Sequence, residues 1–464
     1  MKTFPKFLAL LLILPLFGQI CSGPSAATQE ASKPITLNIW GVFDNEDAYT
    51  KLFTAYRAKH PNVSFNYRKF RVEEYETQLV DAFAEDRGPD IFMVHNTSLN
   101  QWLTKLEPMP ASTTMPYFSI EGTLKKETVV TLQTQKSLTS TDVSRLFPEV
   151  VGKDVVFPAL VDQRTGTYTD RIYGLPLSVD TLALYYNKDL FNAAGIAETP
   201  TDWETFRNDV MKLTKIDYQG NITQSGAAMG GSANIERASD ILAVLMMQGG
   251  APMNSEDGRV TFNQIPQNYN KPSPPGAEAL RYYTDFADST KENYAWNRSM
   301  SGSFLAFATG RTAIFFGYNY HLPLLKAQAP RLNFDVIPLP QIDSEHPTNI
   351  ANYWVLAVAK KSTKQNAAWN FIQYAADAQN VTSYLSATGK PTAQKSLIKV
   401  QNEDPILGVF AGQLLTAKNW YRGRDVDVAE QAMNELIDDA LLNRYPDLKQ
   451  ALQAAVSKIN QTIE

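Results

Sequence analysis

The chain has 464 residues, 44% of them hydrophobic and 20% charged, with a net charge of −5, so two or three compact units are expected rather than one core. With no long basic run, nucleic acid is not an expected partner. Four scattered histidines (His60, His95, His321, His346) and one cysteine give no metal-ligand spacing, so neither a zinc site nor a cofactor is expected.

Lys2 and Lys6 precede the apolar run Phe7–Phe17, which has the length of an export-signal h-region and is short for a membrane span. Ser22–Lys33 is small and polar, as a tether reaching to about residue 34 would be. Cys21 lies just past the apolar run, a position that resembles the lipidated cysteine of a bacterial lipoprotein. Gly18-Gln19-Ile20 lacks the small residue that such a signal wants before the cysteine, and Ser25-Ala26-Ala27 would suit an ordinary cut after Ala27. The expectation is an exported protein tethered to a membrane by Cys21, with a cut near Ala27 or a retained leader as the alternatives.

Next comes a strand-helix alternation. Ile35, Leu37 and Ile39 alternate with polar residues as a strand, and Ala48, Leu52, Phe53 and Tyr56 keep helical spacing until Pro61. Val63, Phe65 and Tyr67 alternate again, and Tyr75, Leu79, Ala82 and Phe83 mark a second helix closed by Gly88-Pro89. Ile91–Val94 is continuously apolar, as a central strand is. This β-α-β-α-β order predicts a parallel sheet with right-handed crossovers. Ligands of such sheets bind beyond the carboxyl ends of the strands. Here those ends carry Trp40-Gly41-Val42-Phe43-Asp44 and His95-Asn96-Thr97-Ser98.

Residues 107–170, rich in Thr, Ser and Pro, read as surface loops with one or two short helices. Ile172–Asp189 reads as a buried strand with one carboxylate, Asp180, embedded in it. A lone acid there is costly unless something hydrogen-bonds to it. Further on, Thr199–Glu204 is a helix start, Asp240–Gln248 an apolar helix ended by Gly249-Gly250, and Pro266–Gly276 a loop. Ala313–Phe316, Phe334–Ile337 and Trp354–Ala359 read as strands. Val428–Leu442 and a helix capped by Asp447 close the chain.

Ile35–Trp40 with its helix, Gly88–Phe92, Gly174-Leu175-Pro176 through Tyr185–Phe191, Phe304–Gly317, Ala359–Ser362 and Trp369–Ile372 occur in an order that resembles the extracellular solute-binding proteins of ABC importers. The nearest group is the carbohydrate-binding one that includes maltose-binding protein, and the resemblance covers nearly the whole chain after residue 35. It implies an α/β, two-lobed periplasmic-binding-protein fold (type II-like) with mainly parallel central sheets. Lobe one would comprise about 35–174 and 351–400, and lobe two 175–350 and 401–464, with three hinge crossings. It also implies a monomer that holds a small ligand between the lobes and hands it to permease transmembrane subunits.

A sugar-binding cleft needs planar polar groups for ring hydroxyls and aromatic faces for C–H surfaces. Asp180 falls where this family places a ligand-binding acid; the alternative is a helix cap or a buried ion pair. Trp40, Asp44 and Glu46 follow the first strand, with core packing for Trp40 and helix-terminus charge for Glu46 as alternatives. His95 and Asn96 end the third strand, where a satisfied structural role is the alternative. Tyr318, Asn319 and Tyr320 stand at the family's aromatic turn. Tyr353 and Trp354 sit near a crossing, where hinge packing is equally open. Trp420 and Tyr421 belong to a segment that in the family often faces the cleft. Val94 and Thr97 stand where maltose-type sites place an aromatic and an acid, which argues against maltose itself. A secreted two-carboxylate glycosidase and the ligand-binding module of a membrane sensor are the alternative functions, but no carboxylate pair placed for acid and nucleophile roles is legible.

Overall fold

The computed structural model of the protein describes residues 26–123, 126–162, 164–267 and 269–463. The expected leader, with the apolar run and Cys21, lies outside them. Among the described residues no helix is long and apolar enough to cross a membrane.

The first alternating segment forms the strand Ile35–Val42, parallel to Val63–Phe70 on one side and to Ile91–His95 on the other. Helices Thr50–Lys59 and Val72–Ala84 make the connections, the second burying Tyr75, Leu79, Ala82 and Phe83. Ile91–Val94 is buried throughout, as its unbroken apolar run requires. Trp354–Ala359 returns to this sheet antiparallel to Ile91–His95, and Leu106–Glu107 closes the edge.

In a second core Ala183–Asn187 lies between Ile314–Gly317 and Phe334–Ile337, antiparallel to both. Within the two core sheets the parallel arrangement is therefore confined to the first three strands; the long connections between the later ones permit either direction. Helices Trp203–Leu213, Ala238–Gln248, Pro275–Thr284, Val426–Leu441 and Leu448–Asn460 bury their apolar faces in this second core.

The two hydrophobic clusters meet at three passages of the chain. Val179, Ala351 and Ala417 belong to the first cluster, and Leu182, Ile350 and Trp420 to the second. Between them Asp180–Thr181, Asn349–Asn352 and Ala417–Lys418 pair into a small sheet of their own.

Two expectations are corrected. Ile172–Asp189 is not one strand. Leu175–Pro176 pairs with Trp354–Ala359, Asp180–Thr181 joins the small sheet, and Ala183–Asn187 enters the second core. The run is apolar because it is buried in three surroundings in turn. Residues 107–170 are not mainly loop. They form two long hairpins, Ser112–Glu121 with Glu127–Lys136 and Val156–Asp162 with Thr167–Ile172, around helices Ser140–Leu146 and Glu149–Val155. Their strands are rich in Thr and Val, which favour extended backbone, but much of their surface is exposed, so no apolar alternation marks them.

Candidate functional site

His95 and Thr97, at the carboxyl end of the strand Ile91–His95, line a crevice with Arg237, Asp240 and Glu430 of the second core. Ile350–Asn352 and Asn419–Tyr421, from two of the passages, and Val426 complete it. The crevice measures about 300 Å³, including the open solvent at its mouth. His95 thus stands on the first-core side of the crevice, at the end of its strand.

His95 Nε2 lies 2.8 Å from Asn352 Oδ1, and Nδ1 lies 2.7 Å from Thr97 Oγ1. The tautomer carrying Nε2–H satisfies both contacts, with the threonine hydroxyl donating to Nδ1. Burial pushes the imidazole down to about 4, and the charge of Arg237 across the crevice adds to this against the Asn352 bond. His95 is therefore a neutral, fixed wall. Asn352 Nδ2 has no hydrogen-bond partner among the described residues, which leaves an amide donor at the crevice.

Arg237 precedes the helix Ala238–Gln248 in the left-handed region, φ 57°. Its Nε and Nη2 donate to Asp240 at 2.7 and 3.0 Å, and Nη2 also donates to Glu430 at 2.9 Å. Nη1 has no partner among the described residues, so the fork offers two further donors from a fixed plane. Tyr318, fully buried, donates its hydroxyl to Asp240 Oδ2 at 2.7 Å and so supports the fork from behind. Tyr320 stacks on Tyr318 with centroids 5.9 Å apart and keeps 40% of its surface exposed. Burial raises the carboxyl of Glu430, against the opposing charge of Arg237.

Asp180 stands opposite Asn352 in the small sheet and is 9% exposed. Its Oδ1 accepts the Thr181 N–H at 2.9 Å. Burial pushes its carboxyl up to about 7, and this outweighs the backbone N–H groups of Asn319, Thr181 and Tyr320 and the charge of Lys390. Asn319, itself buried, thus serves Asp180 through its backbone. Lys390 is already engaged: its Nζ lies 2.6 Å from Asp44 Oδ2, which also accepts the Tyr384 hydroxyl at 2.8 Å.

Asp44 in turn fixes Phe43. The Asp44 N–H closes a three-residue turn on the Val42 carbonyl at 2.7 Å, with Phe43 at φ 64° and 52% exposed. Positive φ at a bulky residue is strained and persists only where the surroundings over-determine it. Here the Tyr67 hydroxyl holds the Asp44 carbonyl at 2.9 Å, while Lys390 and Tyr384 hold the carboxylate. Gly41 permits this, since a Cβ there would collide with the Tyr67 hydroxyl. The Phe43 ring meets Trp354 edge-on at 5.8 Å, and Trp354 lies 5.3 Å from the His95 ring.

Other expected residues do not join this group. Asn96 Nδ2 and the Tyr353 hydroxyl turn to Asp154, at 3.3 and 2.8 Å, where Asn419 and Arg422 also converge. They form a buried hub in which burial raises the Asp154 carboxyl. Tyr421 touches the crevice, but its hydroxyl is spent on Thr462 and the Asp425 N–H. Trp40 packs 4.5 Å from Phe70 under Arg68, as its packing alternative expects. Glu46 is exposed in the short helix Glu46–Tyr49.

Phe43, Arg237, Asn352 and Glu430 were not among the expected residues. Phe43 was legible as an apolar residue just past a strand end. Arg237 and Glu430 lie far apart in sequence on helices, and no local pattern links them.

A family model described as bacterial extracellular solute-binding protein matches residues 51–407. The maltodextrin-binding protein of Bacillus subtilis is 25% identical over 246 residues, 51% of this chain and 54% of that one. The chain spans about half the length, or less, of the curated relatives it matches. Among solved structures, the cyclic alpha-maltosyl-1,6-maltose binding protein of Arthrobacter globiformis superimposes with a TM-score of 0.67 at 19% identity, covering 92% of this chain and 99% of that one. An ABC transporter solute-binding protein of Thermotoga lettingae, bound with alpha-D-tagatose, gives 0.64 at 19% identity, covering 92% and 100%. These are binding proteins, and the glycosidase alternative finds no counterpart among them. The match over residues 51–407, on a fold shared with these structures, makes this chain a member of the bacterial extracellular solute-binding protein family.

Proposed function

We propose that this protein captures a carbohydrate in the crevice and delivers it, chemically unchanged, to an ABC-type permease. The observation that carries this reading is the convergence of both cores and the chain passages on one group of polar and aromatic side chains. Within the crevice Arg237 Nη1 and Asn352 Nδ2 supply donors, Glu430 an acceptor and Trp420 a ring face; beside it stand Asp180, opposite Asn352, and the rings of Trp354, Phe43 and Tyr320. That mixture suits a molecule with hydroxyls on its rim and C–H groups on its faces. The names of the similar proteins, which refer to maltodextrins and tagatose, support the same class. The lobes, about 35–174 with 351–400 and 175–350 with 401–464, would close over the ligand by bending at the passages. Cys21 is proposed as a lipid anchor that keeps the monomer near its permease, with a cut after Ala27 as the alternative.

The test is a thermal-shift screen of residues 28–464 against mono- and oligosaccharides, with amino acids, peptides and polyamines as controls. A ligand that binds only the folded state raises the melting temperature by mass action. A shift with one sugar series and no breakdown of that sugar is the expected result. Shifts confined to a control class, or release of shorter sugars, would overturn the reading.

A further inference from the structure

The charges around the crevice are unequal. Asp240 and Glu430 share the single guanidinium of Arg237, leaving that trio one negative charge in excess when all are ionised. Lys390, the cation that acts on Asp180, is already paired with Asp44. Glu236 stands beside Tyr320 and accepts from His321 Nε2 at 3.0 Å. The imbalance continues outward between the cores. Glu76, on the first-core helix Val72–Ala84, is acted on by the charges of Asp427 and Asp425 at the start of the second-core helix Val426–Leu441, and Asp427 also acts on Glu430. Burial and these like charges raise the Glu76 carboxyl, so each carboxylate is felt by the next.

An incoming anion would therefore meet the surplus carboxylate of the second-core wall, on which Asp427 also acts. The two cations that act on the crevice groups, Arg237 and Lys390, are each already neutralised by a carboxylate at 2.6 to 3.0 Å. In a low-dielectric crevice a like charge is penalised far more than in water. A neutral ring escapes that penalty: its hydroxyls donate to the surplus carboxylate oxygens and accept from Arg237 Nη1 and Asn352 Nδ2.

We infer that this site is specific for uncharged sugars and rejects the uronic acid or phosphate ester of the same sugar; this rests on the carbohydrate reading above. The test takes each neutral mono- or oligosaccharide that binds in the screen and compares it by calorimetry with two derivatives. One carries a carboxylate in place of the C6 hydroxymethyl group, and the other its uncharged carboxamide. A sugar without that group is compared as its phosphate monoester and its neutral dimethyl phosphate. The expected result is that the neutral derivative keeps most of the affinity while the anion binds at least about 100-fold more weakly. In Asp427→Asn, which removes a like charge that acts on Glu430, the gap between the two derivatives narrows. Equal losses for the anion and its neutral partner would show a steric limit and overturn the inference. So would tight binding of the anion, which would leave the carbohydrate reading standing. If no saccharide of either kind binds, the carbohydrate reading itself falls and takes this inference with it.

Discussion

Phe43 carries a strain that can be separated from its proposed role. A left-handed conformation costs a residue with a Cβ about 1–2 kcal/mol, and glycine escapes that cost. The edge-on contact with Trp354 returns only about 0.5 kcal/mol, the low end for aromatic pairs, because Phe43 is half exposed. Phe43→Ala loses the ring contact and keeps the strain, so its stability falls by about 0.5–1 kcal/mol. Phe43→Gly loses the same ring but relaxes the turn, so it is about 1 kcal/mol more stable than the alanine variant. In a cooperative unit of about 200 residues this separates the two melting temperatures by about 2–4 °C. Sugar affinity follows the ring and not the strain. Both variants bind more weakly, by about 2- to 12-fold for the loss of one stacking face. Differential scanning calorimetry and titration calorimetry on the three proteins read both effects. Equal melting temperatures for the glycine and alanine variants would refute the strained turn, and wild-type affinity in both would remove Phe43 from the site.

Asp180 gives a pH signature. Its folded-state carboxyl is raised to about 7 from an ordinary value of 3.8, so between those values the folded state binds more protons than the unfolded, and stability falls as pH rises. Asp180→Asn removes that decline; denaturant titrations from pH 4 to 8 that give parallel curves for the two proteins would contradict it. His95 acts in the opposite sense: with its folded value near 4, the wild type loses stability on acidification from about 6.5 towards 4, and His95→Gln lessens that loss. Small-angle scattering is expected to show a smaller radius of gyration on addition of a bound sugar, and superimposable profiles would rule out closure. Cys21→Ser is expected to release the protein from membranes into the soluble fraction, and persistent membrane association would point to a retained leader.

What was legible in the sequence follows from how local each determinant is. The first sheet could be read because Ile35–Ile39 and Val63–Tyr67 alternate, and because Ile91–Val94 is buried on both faces. The terminal helices carried a stripe each and the last one a cap, Asp447, which accepts from the backbone three residues on; the Asp425 cap of the other was not read. The hairpins of residues 112–172 were missed because their exposed faces carry Thr, Gln and Lys where a half-buried strand would show apolar residues. Within the site, Asp180 stood out as the one acid inside an apolar run and His95 as a polar residue at the end of one. Arg237 and Glu430 did not, since their partnership exists only once two helices distant in sequence pack together. Asn96 and Tyr353 shared the strand-end position of His95, and a buried acid elsewhere in the chain, Asp154, decided their direction.

The placement of the site on the passages ties ligand capture to movement. Asp180 and Asn352 belong to the small sheet that joins the two cores, whose outer strands are two residues long. So few ladder hydrogen bonds resist bending weakly compared with the packed cores on either side. Asn352 also holds His95, which fixes one wall of the crevice to the first core, whereas Arg237 is fixed to the second by Asp240 and Glu430. A sugar hydroxyl that bridges Asn352 Nδ2 and Arg237 Nη1 would therefore couple the two cores through groups already rigid on each side. The free energy of such a bridge acts directly on the angle between the cores, because no flexible loop lies between the ligand contacts and the bending strands. Arg237→Ala and Asn352→Ala should accordingly reduce both affinity and the ligand-induced compaction.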